Sequence, residues 1–331
     1  MEEIIHKTLT INTINIHIAE KGNQEHPLIL FLHGFPELWY SWRHQILSLS
    51  RKGYHCIAPD LRGYGDSDSP VSRRKYTCFD IVGDLVGVID HFIGGGEKVF
   101  VVGHDWGAIV GWYLCLFRGD RVKGFVCLSV PFCPRNPVIK PLESFRTLFG
   151  DDYYICRFQE AGEIEGEIAR AGTGEVLKKI FTNKKTGPSC LLKENPFGIS
   201  EKNQISLPSW LTEADIAYYV TKFNQKGFTG PLNYYRAMDL NWELTAPWTG
   251  AQVKVPVKFI VGELDMVYTT PGVKQYVESV AFKQYVPFLK DIIVMKGVGH
   301  FINQEKPEEI NTLISDFFEN FNHQNGHQNG L

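Results

Sequence analysis

The chain is short of the features that mark many specialised proteins. Its seven cysteines are scattered through 331 residues and no Cys-x-x-Cys occurs, so neither a zinc site nor a disulfide framework is predicted. They stand in apolar strings such as LCLF and FVCLS, as small core residues of a reducing compartment do. There is no basic excess, since 34 Lys and Arg face 37 Asp and Glu for a net charge of −3. A nucleic-acid or anionic-membrane surface needs a concentrated positive face. The short runs Arg73-Arg74-Lys75 and Lys184-Lys185 read instead as solvated surface. No stretch reaches the ~18 consecutive apolar residues of a membrane span, and MEEIIHKTLT lacks the apolar heart of a secretion signal. The expected setting is the cytoplasm, without nucleic acid or membrane insertion. At the other end, NHQNGHQNGL repeats His-Gln-Asn-Gly, so 322–331 is predicted to be a disordered tail.

What is present is a rhythm of strand and helix. INIHIAE alternates apolar and polar residues as a half-buried strand does. PLILFLHG, KVFVVG and VKGFVCLSVP are continuous apolar runs, expected of strands covered on both faces. HCIAPDLRGYG is a further short strand running into a loop. Helical spacing marks WYSWRHQILSLSRKG, CFDIVGDLVGVIDHFIG and the segment from Ala108. Such alternation predicts a mostly parallel central sheet flanked by helices, with reactive groups at the carboxyl ends of its strands. From 131 to 245 the strand pattern stops and the sequence is helical or irregular. It resumes at VPVKFIVGELD and DIIVMKGVGH before a last helix, PEEINTLISDFFENF. The predicted organisation is a core of 1–130 and 246–321 with an inserted, mainly helical cap of 131–245.

One turn stands out. In VFVVGHDWGAIVGWYL the pentad Gly103-His104-Asp105-Trp106-Gly107 joins a buried strand to a helix, the setting of a nucleophile elbow. Where many hydrolases carry serine, this elbow has a carboxylate, so an esterase or lipase is disfavoured. Alone, Gly-x-Asp-x-Gly fits many surface turns. Two later strand ends give it company: Asp265 follows VKFIVGE, and His300 follows DIIVMKGVG. Nucleophile, acid, histidine is the chain order of triads on such a sheet, and a carboxylate on one imidazole nitrogen fixes the tautomer with which the other accepts a proton. HGFPE, residues 33–37, closes the strand LILFL. The N–H groups of Phe35 and of Trp106, the residue after the nucleophile, are the predicted oxyanion hole. Trp39, Trp106 and Phe35 are predicted to line an apolar substrate pocket. Glu37 and His104 flank these segments, either as a structural hydrogen bond or as a pair that helps hold water.

Taken together, HGFPELWYSWRHQ, PDLRGYGDSD, GHDWGA, FQEAG, NYYRAMDLNWE and GVGHFINQEKP make the sequence resemble the soluble epoxide hydrolases of the α/β-hydrolase superfamily. The likeness is to the plant type, without an N-terminal phosphatase domain, and spans nearly the whole chain. Ala161 departs from it, standing where the family often has proline. The resemblance implies an α/β-hydrolase fold, no metal or organic cofactor, and conversion of a lipophilic epoxide and water to a vicinal diol by a monomer or homodimer. It implies an alkyl-enzyme ester on Asp105, hydrolysed by water that His300 and Asp265 activate. It also implies two cap tyrosines donating to the epoxide oxygen: Tyr154 of DDYYICRFQE and Tyr235 of NYYR. Each has a tyrosine beside it, Tyr153 and Tyr234, to which the assignment could slip.

Two rivals remain distinct at this level. A haloalkane dehalogenase shares the aspartate nucleophile, and Trp106 could serve as one halide donor, but HGFPE offers no Asn for a second. A ligand-binding protein with a residual hydrolase site has no need to retain nucleophile, acid and base together.

Overall fold

The continuous apolar runs become the inner strands of one sheet. The computed structural model describes residues 3–199 and 205–325. In it β1 (Ile5–Ile11), β2 (Ile14–Lys21), β3 (Leu28–Leu32), β4 (His55–Pro59), β5 (Val99–His104), β6 (Val122–Leu128), β7 (Val257–Gly262) and β8 (Leu289–Met295) are ordered β1-β2-β4-β3-β5-β6-β7-β8. From β4 to β8 all neighbours run parallel, whereas β1 and β2 are antiparallel. Every residue of β3, β4, β5 and β7 is buried, because helices cover both faces of a sheet wound in this way. This is an α/β-hydrolase architecture.

The strand β1 is not foreshadowed by the sequence reading. Its residues are half exposed, and it turns into β2 through Asn12 and Thr13, whose φ angles are 49° and 67°. Two-residue hairpin turns of this hand usually carry glycine; threonine at the second place hides the signal.

Helices α1 (Arg43–Arg51), α2 (Cys78–Ile93) and α3 (Trp106–Arg118) connect the first strands. Thr77 caps α2, its side chain accepting from the Asp80 N–H, which satisfies one of the unpaired donors at the helix start. Between β6 and β7 lie α4 (Pro141–Phe149), α5 (Tyr154–Arg157), α6 (Glu163–Ala171), α7 (Thr173–Phe181), α8 (Glu213–Lys226), α9 (Thr229–Arg236) and α10 (Met238–Leu244). Among the described residues this stretch adds no strand to the sheet, and β7 then pairs directly with β6, Phe125 opposite Val257. After α11 (Val273–Glu278), α12 (Val280–Tyr285) and α13 (Ile302–Glu305), α14 runs from Pro307 to Asn325. The final helix thus takes in the first residues of the expected tail; 326–331 lie outside the described residues. No helix among the described residues is long and apolar enough to cross a membrane.

The helical stretch is fastened over the carboxyl ends of the strands. Lys184 Nζ lies 2.9 Å from Glu305, and the Gly187 N–H donates to Thr269 Oγ1 at 2.8 Å. Tyr234 donates its O–H to the Arg62 carbonyl at 2.9 Å, and Arg43 lies 3.1 Å from Asp215.

Candidate active site

Asp105 occupies the single residue between β5 and α3, with φ 51° and ψ −119°. L residues avoid this region unless their surroundings hold them there. Here the backbone has no slack: a Cβ on Gly107 would lie 2.0 Å from the Leu32 carbonyl oxygen, and one on Gly34 would lie 2.4 Å from Asp105 Cβ. The Phe35 N–H donates to Asp105 Oδ1 at 2.7 Å, and the Trp106 N–H, on the next residue of the chain, also acts to lower the pKa of the carboxylate. Burial raises the pKa of this carboxyl above its ordinary value, against the lowering pull of His300, His104 and the two backbone N–H groups.

Asp265, fully buried after β7, receives the Val267 N–H on Oδ1 at 2.7 Å. His300 Nδ1 stands 3.0 Å from the same oxygen, and His300 Nε2 lies 3.7 Å from Asp105 Oδ2. Burial pushes the Asp265 pKa upward, but the His300 charge and hydrogen bonds from His300, Ser129 and Val267 outweigh it and hold it below the ordinary value. His300 shows the reverse balance. Burial disfavours its cation, yet Asp265, Asp105 and Glu37 together push its pKa up to about 9. The sequence reading missed Ser129. Its hydroxyl lies 3.1 Å from His300 Nδ1, and no motif marks it beyond its place at the end of FVCLS.

Above these groups is a cavity of about 390 Å³, within the usual size of small-molecule sites. Asp105, His300, Phe35, Tyr154 and Tyr235 all border it, with Phe158, Ile180, Leu191, Phe197 and Met266 among the apolar walls. The neighbouring tyrosines do not border the cavity: the Tyr153 ring packs on Phe149 at 4.8 Å and against Tyr154 at 4.9 Å, and Tyr234 is spent on Arg62. The Tyr154 and Tyr235 ring centroids are 6.0 Å apart. Burial raises both phenol pKa values well above the ordinary one, with the Asp105 charge contributing, so both keep their protons.

Two expected pocket residues are placed differently. Trp106 lies against the Tyr235 ring at 5.0 Å and is not on the cavity wall. Trp39 does not border the cavity either. Its N–H donates to Asp60 Oδ1 at 3.0 Å, and its indole N–H reaches Tyr218 at 2.8 Å while its ring meets His6. Anchoring of the turn by Asp60 points this side chain away, toward β1 and α8.

Glu37 and His104 form a fully buried pair, Oε2 to Nδ1 2.6 Å. His104 Nε2 lies 2.8 Å from the His300 carbonyl oxygen, and the Gly34 N–H donates to Glu37 Oε2 at 3.2 Å. The Glu37 pKa stays below its ordinary value because His104, and more weakly His33 and His300, offset the cost of burial. Gln304, also absent from the predicted set, donates to Glu37 Oε1 at 3.0 Å and accepts from Arg43 at 2.9 Å. A polar chain therefore runs from Asp215 on α8 through Arg43 and Gln304 to the floor of the site. Away from the cavity, His17, Asp60 and Asp66 place ligand-type atoms within 4.8 Å of one another, but the Lys222 ammonium lies 2.6 Å from Asp66 and supplies positive charge there.

A buried carboxylate at the turn between a strand and a helix, with an acid–histidine pair beside it at neighbouring strand ends, thus stands beneath the cavity of this sheet. Residues 27–175 match the family model described as alpha/beta hydrolase fold. Epoxide hydrolase 3 of Siraitia grosvenorii is 58% identical over 97% of this chain and 100% of its own length. Epoxide hydrolase A of Mycobacterium tuberculosis is 36% identical over 92% of this chain and 94% of its own. Among solved structures, potato (Solanum tuberosum) epoxide hydrolase I superposes with a TM-score of 0.92 at 50% identity, covering 96% of this chain and 100% of that one. An epoxide hydrolase from Vigna radiata gives 0.91 at 56% identity, over 97% and 99%. The chain belongs to the epoxide hydrolases of the α/β-hydrolase fold, in their plant-type branch.

Proposed function

We propose that this enzyme converts lipophilic epoxides to vicinal diols through a covalent ester on Asp105. The observation that carries the reading is the carboxylate with one oxygen held by backbone N–H and the other near His300, beneath two cavity-facing tyrosines. Asp105 Oδ2 attacks a ring carbon, the ring C–O bond breaks, and its electron pair moves to the epoxide oxygen. Tyr154 and Tyr235 donate to that oxygen, one of them transferring its proton. An ionised carboxylate suits this step because it needs no prior deprotonation to attack a saturated carbon.

The ester carbonyl is now Oδ1, the oxygen that the Phe35 N–H meets at 2.7 Å, and the Trp106 N–H is the second donor in this reading. His300, oriented by Asp265, takes a proton from water, and the resulting hydroxide adds to Asp105 Cγ. The N–H groups stabilise the oxyanion, and one such donor is worth on the order of 3 kcal/mol of barrier. Collapse releases the diol alkoxide, which takes the proton of the re-formed carboxyl, and His300 returns its proton to the tyrosinate. No metal or organic cofactor enters any step. Glu37 and His104 act beneath the site by fixing the His300 backbone and the water.

In this reading 1–130 and 246–321 are the core, and 131–245 is the cap. The pairing of β6 with β7 and the mixed origin of the cavity wall support that division. The cytoplasm is the proposed compartment, in keeping with seven free cysteines. The test is one turnover with excess enzyme in heavy-oxygen water. The label is expected in the Asp105 carboxylate; label in the diol alone overturns the covalent route.

A further inference from the structure

Among the described residues, two outside the β1–β2 hairpin turn have positive φ without being glycine, and both are buried at the carboxyl ends of adjacent strands. One is Asp105. The other is Ser129, with φ 79°, fully buried one residue past β6. The Val130 N–H reaches back to the Leu128 carbonyl at 3.1 Å, and the Ser129 N–H donates to the Ile260 carbonyl at 2.9 Å. A three-residue turn with positive φ at its centre is rare and strained, and such strain persists where the surroundings enforce it.

The turn delivers the hydroxyl to the acid–base pair. Ser129 Oγ is 3.1 Å from His300 Nδ1, while Nδ1 is 3.0 Å from Asp265 Oδ1. Nδ1 carries one hydrogen, which both oxygens accept. The serine hydrogen is then free for the Asp265 carboxylate, whose buried Oδ2 has no other hydrogen-bond partner among the described residues, and Ser129 is among the groups that lower its pKa. We infer that Ser129 is a positioning residue of the acid–base pair, closing a triangle that fixes both the imidazole plane and the Nδ1–H tautomer. A single carboxylate contact leaves the ring free to rock about it; a second acceptor on the same N–H removes that freedom. The effect falls on the water-activating step, because ring opening by Asp105 requires no proton transfer to His300.

The inference rests on the alkyl-enzyme route, and the experiment separates the two. Ser129→Gly deletes the hydroxyl and accepts the backbone angle without strain, so the variant keeps the fold. Under single turnover with styrene oxide, alkylation of Asp105 is expected within twofold of the unsubstituted rate. Hydrolysis of the ester is expected to fall about tenfold, the worth of one hydrogen bond to a charged group, so alkylated protein builds up by mass. In an Asp265→Asn background the same change is expected to add less than twofold. Equal loss in both half-reactions means a structural role, and hydrolysis at the unsubstituted rate means no role; either overturns the assignment of Ser129 alone. If the unsubstituted enzyme shows no alkylated Asp105 at all, the covalent route and this inference fall together.

Discussion

His300 Nε2 and Asp105 Oδ2 stand 3.7 Å apart, close enough to couple as charges and too far for a hydrogen bond. The imidazole does not tie up Oδ2, the oxygen proposed to attack the epoxide. It faces the carboxyl group across a gap where, in the proposed mechanism, a solvent molecule activated by His300 adds to Cγ.

That coupling gives a pH signature. His300 is pushed up to about 9 with Asp105 among the causes, and the proposed esterification of Asp105 removes this negative charge. The pKa of His300 therefore falls once the substrate is attached, and a larger fraction becomes neutral and able to accept a proton. The hydrolysis rate constant is expected to rise with pH to a plateau whose apparent pKa lies below that of His300 in the unreacted enzyme. Alkylation is expected to lack that rise. Stopped-flow half-reactions alongside NMR titration of His300 measure both, and an apparent pKa at or above the resting value contradicts the account.

The tyrosine pairs supply internal controls. Tyr154→Phe and Tyr235→Phe are each expected to slow alkylation by about a hundredfold, the scale of lost acid catalysis, with ester hydrolysis little changed. Tyr153→Phe is expected to leave both rates near normal. Tyr234→Phe loses its bond to the Arg62 carbonyl and is expected to show in melting temperature before rate. A reversal within either pair reassigns the donor.

Glu37→Gln tests the buried pair. It removes the charge opposite His104 while keeping the shape, and breaking a buried pair in this way costs on the order of 3 kcal/mol. Denaturant unfolding is expected to show that loss, with hydrolysis slowed more than alkylation. Slower ester formation with unaltered hydrolysis speaks against a role in holding water.

Trp39→Phe is expected to lower the melting temperature through loss of the indole bond to Tyr218, while kcat/KM for small epoxides stays within twofold. A shift in substrate preference would return this side chain to the pocket.

Much of this was legible in the sequence because strong local signals agreed with the fold. The apolar runs that became β3, β5, β6 and β7 have to be buried on both faces, and Gly107 admits only the close approach the elbow requires. The order of Asp105, Asp265 and His300 follows from the same sheet. Other features depend on packing that no local pattern records. The alternate side chains of β1 are half exposed, so little pattern is enforced. Tyr153 and Tyr154 are equivalent as letters, and only the turn into α5 decides which meets the cavity. Trp39 follows its backbone bond to Asp60, a partner 21 residues away. Ser129 belongs to no motif, since its placement comes from a bend at a strand end.

The cavity wall has one further consequence. Its floor is fixed by Asp105 and His300, but much of its side is drawn from the single stretch between Lys179 and Gly198. Admission and turnover are thus written in different parts of the chain. Descendants of this gene can alter which molecules enter by exchanging residues in one irregular segment, while the chemistry underneath is inherited intact.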